Sequence, residues 1–267
     1  MSKATLLHHQ GYGDYFSSNG LVNYYSKKYD ELVLICADEN RRIFAENMYK
    51  HLSNVKCVTT KKNNQNRFNS SCLICHTRGN QGGQCPRYYS YKCEYVDYEN
   101  YTEGYENIKI GCFSNDIEQW DKCRLQQGDS FSHAFYLYHK IPIEYRIDNF
   151  SIFRDIELEK TTFKESKLVD KDYIVIHDDP NRGITIDLEN DHIYNLNDKS
   201  KLFLDQIKII ENSKEIHLID SSYSLLIYFL SFQNEKISSI PKFLYKNRDG
   251  RDYDIYLDPK PENWYFI

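Results

Sequence analysis

Three groups of residues in this chain have types and spacing that could do chemistry. The first is Asp14, which closes the run Gly11-Tyr12-Gly13-Asp14 after the apolar pair Leu6-Leu7. A short strand that turns tightly at Gly11 and Gly13 and then feeds a helix would set Asp14 at or near the helix start. Free backbone N–H groups and the helix dipole favour a carboxylate there. In α/β proteins such strand-to-helix corners open onto the ligand crevice. Asp14 is therefore a candidate general base, with a plain helix cap as the alternative. The second group is His177-Asp178-Asp179-Pro180-Asn181-Arg182-Gly183, an imidazole, two carboxylates and a guanidinium just past an apolar stretch. The planar fork of Arg182 suits a diphosphate; pairing of Arg182 with Asp178 or Asp179 is the bland reading. The third group, Asp220-Ser221-Ser222, ends a second apolar stretch and opens an apolar helix. Hydroxyls and unsatisfied N–H groups at such a start hold phosphates, whereas Asp220 or Ser221 alone would be an ordinary cap.

A fourth cluster is made of cysteines. Cys72-Leu-Ile-Cys75-His76 has the two-residue gap that points two thiolates at one ion, and Cys85 and Cys93 follow at looser spacing. These four define a candidate structural zinc site, with His76 as a substitute ligand; four free thiols in a surface loop is the alternative. Nearby, Tyr88, Tyr89 and Tyr91 alternate with Arg87 and Lys92, a mixture able to stack on bases or sugar faces but equally typical of a solvated loop.

The elements that must position these residues read as alternating strand and helix. Residues 6–8 form a strand candidate, 18–29 a helix, 32–37 a nearly unbroken apolar strand, 39–52 a helix capped by Asp38, and 55–59 a further strand. The β-α-β-α-β order predicts a parallel, doubly wound sheet. The pattern stops at about 61 and resumes near 104, so this polar, cysteine-bearing stretch reads as an insertion. Seven Lys or Arg and no acid lie between Lys56 and Cys93. Residues 108–112 are a strand candidate and 116–126 a helix. Helical segments 131–139 and 150–163 lead to a second α/β unit with strands at 173–177, 182–187, 215–219 and 236–245, and a helix at 223–232. The expected domains are 1–125 and 126–267.

The whole-chain numbers exclude some classes. A net charge of −5 over 267 residues gives no global reason to expect nucleic acid, and no apolar run is long enough to span a bilayer. With no signal-peptide pattern at the start, a cytoplasmic location is expected, where eight cysteines are not expected to form structural disulfides.

On Gly13-Asp14 before the first helix, on Asp220-Ser221-Ser222 before a later one, and on the strand and Arg182-bearing loop between them, the chain resembles glycosyltransferases of the GT-B fold. It looks nearest to the heptosyltransferase and fucosyltransferase-like groups. The resemblance implies two Rossmann-like domains facing a central cleft, the cysteine insertion lying in the first. It implies sugar transfer from a nucleotide-sugar donor to a glycan or other hydroxyl acceptor, with inversion and without a catalytic metal or cofactor. Asp14 would be the catalytic base, with Gly11 and Gly13 in the turn near the acceptor. His177, Arg182, Asp220, Ser221 and Ser222 would bind the donor. One departure is that Tyr223-Ser224-Leu225 follows the serines where heptosyltransferases usually carry a histidine. Two other readings remain: a non-catalytic nucleotide- or sugar-binding protein, and a zinc-stabilised nucleic-acid-binding protein.

Overall fold

A computed structural model describes residues 1–8, 11–36, 38–59, 71–72, 95–96, 104–111, 116–126, 131–197, 201–245 and 258–267. The chain divides into two compact units, Met1–Phe153 and Arg154–Ile267. Each carries its own parallel sheet with helices, a mixed α/β architecture.

In the first unit, strands β1 (Lys3–Leu7), β2 (Glu31–Cys36) and β3 (Val55–Thr59) are joined by helices α1 (Tyr12–Ser17), α2 (Asn19–Lys28) and α3 (Glu39–Met48). Asp38 starts α3 as expected, its Oδ1 accepting the Arg41 backbone N–H at 2.9 Å. Between Thr59 and Gly104, Ser71–Cys72 (β4) and Tyr95–Val96 (β5) are described, as an antiparallel pair. Strand β6 (Glu106–Lys109) then returns to lie beside β1. The order β3-β2-β1-β6 is parallel throughout and reverses direction between β1 and β6. Helices α4 (Ile117–Gln126), α5 (Phe131–Tyr138) and α6 (Tyr145–Asp148) complete the unit.

The division therefore falls at 153/154 rather than at 125/126. The reason is packing around α2. Gly20 sits so close beneath α6 that a Cβ there would lie 2.2 Å from the Tyr145 carbonyl oxygen. The Tyr136 hydroxyl on α5 donates to the Ser17 carbonyl at 3.2 Å. The Asn19 side chain is bonded both to the N–H of Ser151, at 2.7 Å, and to its carbonyl, at 3.0 Å.

In the second unit, α7 (Ile156–Glu165) precedes β7 (Ile174–His177), β8 (Ile193–Asn195), α8 (Ile207–Glu211), β9 (Glu215–Ile219), α9 (Ser222–Ser231), α10 (Glu235–Ser239), β10 (Lys242–Tyr245) and β11 (Trp264–Phe266). All pairings are parallel in the order β11-β10-β9-β7-β8, and the order reverses between β7 and β9. Alternation along β9 and β10 turns Ile216, Leu218 and Leu244 to one face, all buried.

Three sequence expectations change here. The helix expected over 150–163 begins only at Ile156, because Asp155 caps it by accepting the Leu158 N–H at 3.1 Å. Residues 182–187 are not a ladder strand. Ile184, Ile186 and Leu188 instead cover a cluster of Ile174, Ile176 and Ile219, and the strand beside β7 is the three-residue β8. Within 236–245 only Lys242–Tyr245 is extended, since Asn234 caps a short helix before it through the N–H groups of Lys236 and Ile237.

Candidate functional site

Each unit has one point where strand order reverses, and in open parallel sheets the crevice beyond the carboxyl ends of the flanking strands is where ligands bind. Asp14 follows β1 at the first such point. Helix α1 starts earlier than the sequence suggested: Gly11 is its N-cap, so Gly13 and Asp14 lie inside its first turn. Neither glycine has a positive φ; Gly11 stands in the bend that leads into the helix, whereas Gly13 is helical rather than part of the turn. Gly11 lets the carboxylate approach closely, because a Cβ there would sit 2.8 Å from Asp14 Oδ2 and displace it. The Gly11 N–H donates to that oxygen at 3.0 Å. Asp14 thus does cap the helix start.

The cap does not hold the carboxyl in its usual acidic range. Burial outweighs the Gly11 hydrogen bond and the nearby Arg41 charge and pushes its pKa up to about 6. A carboxylate poised there is ionised at neutral pH yet basic enough to take a proton. The neighbours of Asp14 on α1 join an aromatic cluster: Phe44 meets Tyr12, Tyr15 and Phe16 edge-on at 5.1, 5.5 and 5.7 Å, and His8 meets Tyr15 at 4.4 Å.

Sequence reasoning missed the companions of Asp14. Arg41, in the first turn of α3, pairs with the Asp38 carboxylate and stands 5.6 Å over the Tyr12 ring. The available signal was the pattern Asp38-x-x-Arg41 directly after β2, the neighbour of β1 in the sheet.

At the second reversal point, His177 ends β7 and Asp220-Ser221-Ser222 follows β9. These adjacent strands run in register, His177 opposite Leu218, so the sheet brings the two groups together. The His177 ring lies 4.8 Å from that of Tyr223, in the first turn of α9, and Tyr223 stacks on Phe203 at 4.4 Å. A chain of hydrogen bonds steadies the stack, Gln206 Nε2 donating to the Tyr223 hydroxyl at 2.6 Å and the Tyr194 hydroxyl to Gln206 Oε1 at 3.1 Å. Burial lowers the His177 pKa to about 4 despite the opposing charges of Asp178 and Asp179, so the imidazole is neutral at pH 7. Its Nδ1 is sealed from solvent and has no hydrogen-bond partner among the described residues.

The serines divide in role. Ser221 is the N-cap of α9; its Oγ accepts the Ser224 N–H at 3.4 Å while Ser224 Oγ accepts the Ser221 N–H at 3.1 Å. Ser222 is the first helical residue, half-buried, beside the unsatisfied N–H groups of that turn. Asp220 is half-buried just before the cap.

Asp178 is committed to local structure. Its carboxylate accepts from Asn195 Nδ2 at 3.0 Å, Asn197 Nδ2 at 2.8 Å and the Ile186 N–H at 3.4 Å. That ties the covering segment to the end of β8. Arg182 closes a 3-10 turn, Pro180–Arg182, and its side chain lies outside what is described.

Cys75, Cys85 and Cys93, His76, and the Cys72 side chain lie outside the described residues as well. Among the described residues no group of three or more His, Cys, Asp or Glu is placed to hold a metal ion, and no helix is long and apolar enough to cross a membrane. An open hollow of about 840 Å³ in the second unit, lined by residues 170–172 and 188–192, lies at the amino ends of β7 and β8, away from the reversal point.

These features define an α/β protein whose chemistry-bearing corners sit at the reversal points of two parallel sheets. No family model matches the chain, and no curated protein matches it. Among solved structures it is similar to the E. coli ADP-heptose LPS heptosyltransferase II, at 9% identity over 99% of this chain and 90% of that one, with a TM-score of 0.41. So loose a likeness leaves function to rest on the chain's own strand order and side chains.

Proposed function

We propose that the protein is a glycosyltransferase that moves a sugar from a nucleotide-sugar donor to a hydroxyl acceptor, with inversion and without a catalytic metal. The observation that carries the reading is the coincidence of chemistry with topology: a carboxyl poised near pH 6 follows the strand at one reversal point, and a helix N-terminus with a neutral imidazole beside it stands at the other.

In this reading the donor diphosphate meets the first turn of α9, where Ser222 and the N–H groups offer hydrogen bonds to negative charge. The half-buried, neutral His177 ring supplies one further hydrogen bond, and Arg182 supplies the cation. As the sugar–phosphate bond breaks, charge grows on the leaving diphosphate, and fixed donors stabilise it more in the transition state than in the ground state. Asp14 accepts the proton of the acceptor hydroxyl as that oxygen attacks the sugar carbon from the opposite face, which inverts the centre.

A non-catalytic sugar-nucleotide binder is favoured by one observation, the bond between Asp14 and Gly11, which gives Asp14 a structural task. A thermal-shift screen against UDP-, GDP-, ADP- and CMP-sugars, followed by a donor-hydrolysis assay in excess chelator, separates the readings. Stabilisation by one donor together with turnover is expected; stabilisation without turnover would favour the binder, and no stabilisation would count against both.

A further inference from the structure

Among the described residues the His177 ring meets one other ring, that of Tyr223, at 4.8 Å and tilted by 46°. Its Nδ1 is sealed from solvent with no hydrogen-bond partner there. The residue as a whole is half-buried, so Nε2 is the nitrogen left to meet a ligand. Tyr223 is itself fixed. Phe203 stacks on it at 4.4 Å, the two planes 25° apart. Gln206 closes the 3-10 turn Leu204–Gln206 and is fully buried. Its Nε2 donates to the Tyr223 hydroxyl at 2.6 Å and to the Leu202 carbonyl at 3.4 Å. A carbonyl can only accept, so the amide turns its nitrogen toward both and its oxygen toward Tyr194, whose hydroxyl donates to it at 3.1 Å. Tyr194 lies on β8, beside β7. The strand that ends in His177 and the helix that starts at Ser222 therefore meet through a ring set by hydrogen bonds as well as by packing. A connected buried network of this kind rigidifies the side chains it holds.

A neutral imidazole carries one N–H and one lone pair. His177 is neutral at pH 7 because burial disfavours its cation. A buried N–H without an acceptor is the rarer orphan in folded proteins, which puts the lone pair on the sealed Nδ1 and the proton on Nε2. We propose that Tyr223 is a positioning residue for His177: braced by Phe203 and Gln206, it holds the imidazole in one orientation and one tautomer, so that Nε2–H is a fixed donor toward an anion beside the first turn of α9. Only the last step, donation to the donor diphosphate, rests on the transferase reading. A loose imidazole would give up its orientation to rotamer entropy and divide its proton between two nitrogens. A ring clamped before the ligand arrives is a preorganised donor. Tyr223 acts through His177 and touches no reacting atom.

The test is nitrogen-15 NMR of the histidine side chains at pH 7, with the His177 signals assigned by their absence from His177→Gln. In the wild-type protein Nε2 is expected to resonate as a protonated, pyrrole-type nitrogen and Nδ1 as an unprotonated, pyridine-type one. Tyr223→Phe keeps the ring and the two separate signals. In Tyr223→Leu the ring is lost, the tautomers exchange and the two signals move toward each other. Circular dichroism reports whether the variants are folded. Should Tyr223→Leu not fold, Phe203→Leu, which removes only the half-buried brace, shows the same movement to a smaller extent. A protonated Nδ1 in the wild type overturns the proposal, as do unmoved signals in folded Tyr223→Leu or, in its place, Phe203→Leu. Calorimetric titration with UDP, GDP and ADP, diphosphates without a sugar, reads the consequence. Affinity falls about tenfold in Tyr223→Leu, the worth of one hydrogen bond, and is retained in Tyr223→Phe; undiminished affinity in folded Tyr223→Leu also overturns the proposal. If the His177 signals depend on Tyr223 but no diphosphate binds, the transferase reading fails and the positioning role stands. If a nucleotide sugar is turned over while the signals ignore Tyr223, the positioning role fails and the transferase reading stands.

Discussion

Replacing Asp14 by Asn separates a carboxylate kept for chemistry from one kept for capping, because the two roles predict opposite changes in stability. The folded-state pKa is raised from 3.8 to about 6. The unfolded chain therefore ionises first as pH rises. The stability contribution of the group is fully present below pH 3.8, falls between about 4 and 6, and stays lost above that. A difference of about two units corresponds to about 3 kcal/mol at neutral pH. Partial exposure of Asp14 reduces this, and the lost attraction between a carboxylate and the α1 N-terminus removes about 0.3–1 kcal/mol more. Asn keeps an oxygen able to accept the Gly11 N–H. Asp14→Asn is therefore expected to be more stable than wild type by about 1–2 kcal/mol at pH 8 and equal to it at pH 3.5. Urea melts at the two pH values, with matched slopes, measure this directly. A variant less stable than wild type at pH 8 would mean that capping dominates, and the assignment of a raised pKa and a catalytic role would be refuted.

Other expectations follow from the same geometry. Gly11→Ala should move the Asp14 carboxylate, since the added Cβ meets Oδ2 at 2.8 Å; donor turnover should fall at least tenfold while the free energy of unfolding changes by under about 1 kcal/mol, because a flexible side-chain end can yield. Ser221→Ala should cost about 1 kcal/mol of stability by removing the α9 cap. Ser222→Ala should leave stability within about 0.5 kcal/mol yet weaken donor binding, as titration calorimetry would show. In the second unit, Arg154 is bonded to buried Glu159 at 2.8 Å and Glu211 at 2.6 Å, and Asn234 also donates to Glu211. Arg154→Met should destabilise by about 3 kcal/mol. Burial opposes ionisation of Glu211, but these partners overcome it and hold its pKa below 4.5. The stability it contributes is thus present above that pH and lost as pH falls through the lower folded value. Glu211→Gln should flatten this acid loss in a pH series of melts.

Much of the framework is legible in the residues. β2 and β9 announce themselves as apolar runs, and α3 and α9 as runs beginning at Asp38 and Ser221, because burial on both faces and side-chain caps leave local marks. Three features leave weaker marks. Helix α1 starts at a glycine with no capping side chain of its own, so its start was placed too late. Strand β8 is three residues long and partly exposed, and takes its shape from pairing with β7 rather than from its own pattern. The alternation of Ile184 and Ile186 imitates a strand, but it serves to cover Ile174, Ile176 and Ile219. At the site, Asp14, His177 and Ser221 could be named because each ends or follows an apolar strand. The placement of Arg41 over the Tyr12 ring could not, since it joins helix starts 27 positions apart along the chain. The solitary His177 Nδ1 was equally hidden, because burial and partners are properties of the fold.

The most direct measurement is single-turnover transfer or hydrolysis of the nucleotide sugar that best stabilises the protein, in excess chelator, for wild type and Asp14→Asn side by side. The account predicts a rate at least a thousandfold lower in the variant, with the donor-induced rise in melting temperature preserved. Equal rates in the two proteins, or a donor that stabilises neither, would contradict it.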